Sequence, residues 1–97
     1  MADLSYEKLS ERQIEEGLAG LPGWVIEQGM LAREFEFKSY AAGLVFAVAC
    51  GHVAEGLDHH PDLFVGYQKV RVAFTTHSAG GLTAYDFEAA RRVQAIA

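Results

Sequence analysis

The run Asp58-His59-His60-Pro61-Asp62 sets two of the chain's four histidines side by side and follows them with a proline. Imidazole has an ordinary pKa of about 6.5 and can both give and take a proton near neutrality. Proline pushes the residue before it out of the helical region, so His60 is expected to be extended while His59 closes the preceding helix. Their rings then point in different directions and can serve one pocket in two roles. A third histidine, His77, stands between a strand-like run and the turn Ser78-Ala79-Gly80-Gly81. Three imidazoles at the ends of elements, where loops meet, point to acid–base chemistry. No serine or cysteine lies in a nucleophile motif, and Gly80-Gly81 is too short for a phosphate-binding loop, so covalent catalysis finds no support.

Blander readings compete for the same residues. A histidine pair at a helix C-terminus can be held there by the helix dipole. Asp86, fourth in Thr83-Ala84-Tyr85-Asp86, fits a capping box with no part in chemistry. His59, His60, His77 and Asp86 could also offer nitrogen and oxygen ligands to zinc. Against a metal stand the reluctance of adjacent residues to converge on one ion and the lack of a His-x₃-His or cysteine pair.

These residues must be positioned by a small frame. With 97 residues the chain is expected to form one domain over 1–97, large enough for a single core and small enough that self-association would add stability. The net charge is −5 and the eight Lys and Arg are scattered, which excludes the cationic stripe that direct nucleic-acid binding requires. Cys50, in an apolar run, reads as a buried small hydrophobe, as suits a reducing compartment. The polar N-terminus lacks a signal peptide's apolar core, and the apolar run from Tyr40 to Gly51 is short of the roughly 20 residues that span a bilayer. The expectation is a cytoplasmic protein without a membrane partner.

Ser10-Glu11-Arg12-Gln13 is a capping-box pattern, with Leu9 and Ile14 placed as a hydrophobic staple, and opens a first helix that Pro22-Gly23 stops. Trp24 to Lys38 reads as a hairpin turning at Gly29, with Arg33, Phe35 and Phe37 on a packed face and Glu34, Glu36 and Lys38 opposite. Ser39 caps a second helix to about Gly56, whose core stripe is read as Val45, Val48, Ala49, His52 and Val53. His52 is thereby expected to be half-buried and outside the site. Leu63 to Tyr67 and Lys69 to Thr76 form a second hairpin, and Thr83 opens a third helix flanked by the staple pair Leu82 and Phe87. The fold class is α+β, in the order α-β-β-α-β-β-α: one four-stranded antiparallel sheet with three helices on one face. The other face is only partly covered by charge, so a homodimer or homotetramer through the second helix or exposed strands is expected.

Trp24 after Pro-Gly, Phe35-Glu36-Phe37 before a long helix, the DHHPD run, Thr75-Thr76-His77-Ser78-Ala79-Gly80-Gly81-Leu82-Thr83 and Asp86 together resemble the pterin-4a-carbinolamine dehydratases. The resemblance extends over most of the chain; Leu63 departs from it, standing where the family usually carries tryptophan. It implies a cofactor-free enzyme that removes water from a 4a-hydroxytetrahydropterin and gives the quinonoid dihydropterin, recycling the cofactor of aromatic amino acid hydroxylases. By similarity, His59 and His77 would do the acid–base work, His60 would bind and orient the pterin, and Asp86 would orient a histidine. Glu55 and Tyr67 join as substrate-binding residues on the resemblance alone. Members of the family also act as dimerisation cofactors of a homeodomain transcription factor, an alternative role as a protein–protein module.

Overall fold

The computed structural model describes residues 4–97. Its elements are α1 (Glu11–Ala19), β1 (Val25–Glu27), β2 (Met30–Glu36), α2 (Tyr40–Leu57), β3 (Asp62–Val65), β4 (Lys69–Phe74), a 3₁₀ turn (His77–Ala79) and α3 (Ala84–Ile96). The four strands form one antiparallel sheet in the order β1-β2-β4-β3, so the two hairpins meet through β2 and β4. The first hairpin turns through Gln28 and Gly29, both with positive φ, as a two-residue type I′ loop requires. This is the expected α+β arrangement.

Strand alternation decides which face the helices cover. Leu31 lies opposite Phe74 and Phe35 opposite Val70 in the β2–β4 register, and all four are buried beneath the helices. Glu34, Glu36, Lys69 and Arg71 take the other face. α2 and α3 cover the core directly, while α1 adds Ile14 and Leu18 to it. Gly17 is where α1 meets α3: a Cβ there would stand 2.5 Å from the ring of Phe87. The indole N–H of Trp24 donates to Oε1 of Gln94 at 2.9 Å, and Arg33, whose guanidinium lies over the Phe35 ring, donates to the same oxygen. The first hairpin is thereby tied to the C-terminal turn of α3.

The orientation of α2 corrects the sequence reading. Its buried residues are Gly43, Phe46, Ala47, Cys50 and Ala54, whereas Val45 is 70 % and Val48 61 % exposed and His52 is also exposed. The helix is apolar all round, so its periodicity does not say which stripe faces inward. Aromatic packing does: the Phe46 ring lies 4.8 Å from Phe35 and 5.1 Å from Phe37. The whole 18-residue helix is long and apolar enough, by length and composition, to cross a bilayer, which the shorter apolar run had not suggested. Here that apolar character supplies one core face and one open face.

Candidate active site

α2 ends at Leu57 because Asp58 adopts the left-handed conformation (φ 51°, ψ 43°). The N–H of His59 then reaches back to the Ala54 carbonyl at 3.1 Å, closing the helix as in a Schellman turn with aspartate in glycine's usual place. The turn swings His59 inward, to 8 % exposure, while Pro61 disfavours helical backbone at His60 before it, whose side chain is exposed. His59 therefore lies just past the helix end rather than within its last turn.

Nε2 of His59 lies 2.6 Å from Oδ1 of Asp86, which is fully buried. Oδ2 of Asp86 accepts from the backbone N–H of Thr83 at 2.9 Å, the return half of the expected capping box, and from the hydroxyl of Thr76 at 2.7 Å. Thr76 spends its one proton on Asp86, so the 2.9 Å contact between the Thr76 and Thr83 hydroxyls has Thr83 donating. Two carboxylate oxygens thus receive three donors. With Nε2–H committed to Asp86, Nδ1 of neutral His59 is the nitrogen left for proton traffic. The ring packs nearly parallel to Phe74, 6.2 Å between centroids.

His60 has its own carboxylate. Its Nε2 lies 2.6 Å from Oε1 of Glu55, and both side chains are exposed. One corner of the molecule therefore carries two imidazole–carboxylate pairs, one buried and one open. His77 follows Thr76 directly but opens the 3₁₀ turn and is exposed, whereas the Thr76 hydroxyl is buried in the Asp86 network. His77 lines a depression with Gln28, Gly29, Met30, Thr75, Gly80 and Gly81, which His59 and His60 do not enter. Among the described residues, no group of three His, Cys, Asp or Glu side chains is gathered closely enough to hold a metal ion.

The structure thus brings together His59, Asp86, His60 and Glu55, with His77 one peptide away from their network. Tyr67 does not join them: it is 75 % exposed at the turn between β3 and β4 and lines a separate depression with Glu36, Phe37, Gln68 and Lys69. β4 lies between Tyr67 and His77, a separation of about 20 Å along a six-residue strand. Thr76 and Thr83 are participants that the sequence reading passed over. A signal existed, because Thr76 continues the inward alternation of Val70, Val72 and Phe74 and so had to be a buried hydroxyl in need of a partner.

The chain is similar to known proteins over nearly its full length. The profile of the family described as pterin 4 alpha carbinolamine dehydratase matches residues 7–96. A Streptomyces coelicolor protein provisionally named pterin-4-alpha-carbinolamine dehydratase is 47 % identical over 92 residues, 94 % of this chain and 91 % of its own length. A Chloroflexus aurantiacus protein with the same provisional name is 40 % identical, over 92 % of this chain and 96 % of its own. Among solved structures, a transcriptional coactivator/pterin dehydratase from Brucella melitensis superposes with a TM-score of 0.88 at 36 % identity, over 94 % of this chain and 99 % of that one. A pterin dehydratase-like RuBisCO assembly factor of the alpha-carboxysome superposes with a TM-score of 0.60 at 26 % identity, over 75 % of this chain and 84 % of that one.

Proposed function

Because the chain belongs to the pterin-4a-carbinolamine dehydratase family, we propose that it removes water from a 4a-hydroxytetrahydropterin by histidine acid–base catalysis and releases the quinonoid dihydropterin. The reaction breaks the C4a–O and N5–H bonds and forms C4a=N5. One proton goes to the departing hydroxyl and one leaves N5, so no proton is gained or lost overall. Two imidazoles in opposite protonation states meet this demand without a cofactor. The family resemblance gives those two roles to His59 and His77, which requires a bound pterin to span from the His77 depression to the corner that carries His59 and His60, and His60, set by Glu55, orients the pterin ring. Asp86 acts through His59, fixing its tautomer and holding the imidazolium form when it arises.

The observation that carries this reading is the buried His59–Asp86 pair. Burying a carboxylate against an imidazole involves a desolvation penalty, and a module built only to bind a protein surface has no need of such a pair. The reading includes a cytoplasmic setting, with aromatic amino acid hydroxylase chemistry as the source of substrate. It also includes self-association through the open face of α2, where Leu44, Val45 and Val48 are exposed and no Asp, Glu, Lys or Arg occurs from Tyr40 to Ala54.

The test is the decay of enzymatically generated 4a-hydroxytetrahydropterin, followed with the protein absent, present, or replaced by His77→Ala. Acceleration by the wild type and its loss in the variant are expected. If the wild type leaves the decay unchanged, the chain is no dehydratase; if both proteins accelerate it equally, the role given to His77 is wrong.

A further inference from the structure

The residues before α1 run along the loop that leads into α3. The N–H of Leu9 donates to the Leu82 carbonyl at 2.8 Å, and the Lys8 side chain lies so close over Gly81 that a Cβ there would stand 2.9 Å from Lys8 Cε. Two residues earlier, the ring of Tyr6 stacks on that of Tyr85, with centroids 4.1 Å apart and planes 11° from parallel. Tyr85 belongs to the first turn of α3 and immediately precedes Asp86. The centroid of His59 is 6.3 Å from Tyr6 and 5.8 Å from Tyr85. Those near-equal distances put the imidazole beside the stack, against the edges of both rings, rather than over either face.

His59 is therefore boxed on three sides: by Phe74 from the sheet, by Asp86 from α3, and by two tyrosines on the flank that would otherwise open to water. Leu9 and Ile14 already staple α1 to the core, yet Tyr6, still 49 % exposed, lies against the site. Partial desolvation disfavours the phenolate form of Tyr6, as do Tyr85 and then Asp58 at the end of α2, so its pKa lies above the usual tyrosine value and the wall is neutral.

We propose that Tyr6 and Tyr85 are positioning residues of the active site, whose stacked rings hold the His59 imidazole in the orientation that Asp86 requires and keep water off the pair on that side. The catalytic consequence rests on the dehydratase reading; the effect on His59 does not. Tyr6 lies outside every helix and strand, so Tyr6→Ala can be made with the fold intact. In that variant the Nε2–H of His59, followed by nitrogen-detected NMR, is expected to exchange with solvent at least about 10-fold faster than in the wild type, as its flank opens. The kcat is expected to fall about 2–10-fold with KM little changed, the factor that an aromatic pair represents. Tyr6→Phe keeps both rings and should restore both readouts. Unchanged exchange in Tyr6→Ala overturns the proposal, as does a variant whose loss is confined to KM. Should the wild type lack dehydratase activity while exchange still responds, the functional reading fails and the positioning role stands.

Discussion

Asp86 holds His59 with one carboxylate oxygen, 2.6 Å from Nε2, while its other oxygen caps the helix on which Asp86 sits. The residue that orients the imidazole is thus fixed by the start of α3. Helix position and imidazole orientation become one mechanical unit, which explains why a capping role and a site role need not exclude one another.

Replacing Asp86 by Asn separates the two roles. An amide oxygen can still accept from the Thr83 N–H, but only one of the two side-chain positions can then serve as an acceptor, and the charge that favours imidazolium is gone. Dehydration is expected to slow by roughly 10²-fold or more, as when an imidazole loses its orienting carboxylate. Unfolding free energy is expected to drop by about 1–3 kcal/mol, the cost of a disturbed buried hydrogen-bond group. Steady-state rates and urea denaturation measure the two effects; full activity in the variant would falsify the orienting role.

Glu55 faces His60 in the open, with both partners largely exposed. Solvent screens such a pair, so Glu55→Gln is expected to change stability by less than about 1 kcal/mol. If His60 orients the pterin, KM should rise by about 3–10-fold with kcat nearly intact, the scale of one polar contact. A thermal melt beside a substrate titration decides it, and an equal fall in kcat would move His60 from binding to chemistry.

The open face of α2 makes a prediction about assembly. A charge at Val48, as in Val48→Glu, lies away from the core and should leave the monomer's fold within about 0.5 kcal/mol of its stability. If copies meet through this face, sedimentation velocity will show the wild type as an oligomer and the variant shifted toward monomer. An unchanged sedimentation coefficient rules out α2 as the contact.

Cys50 is fully buried, and desolvation pushes its thiol from 9.0 up to about 11. The native thiol keeps its proton at pH values where the unfolded chain has lost it. The sign follows: this group leaves stability unaffected below about pH 9.0 and lowers it as pH rises from there toward about 11. Unfolding free energies of the wild type and Cys50→Ala should therefore converge or cross over that window. At pH 7 a thiol reagent should label native Cys50 only as fast as the core opens, and rapid labelling without unfolding would contradict its burial.

Local signals in the sequence determined the elements, because caps, turns and alternation act over a few residues: Ser10-Glu11-Arg12-Gln13 opened α1, Gly29 turned the first hairpin, and Thr83 with Asp86 began α3. DHHPD likewise announced a corner, since proline and its neighbour constrain the backbone wherever they occur. Only the tertiary structure decided which side of α2 is core, because that helix is apolar on every side and Phe35 and Phe37 choose the partner face. It also decided that His59 turns inward to Asp86, 27 residues away, that Thr76 completes their network, and that Tyr6 meets Tyr85. Such pairings depend on how the sheet and helices stack, and a pattern confined to neighbouring residues carries no information about them.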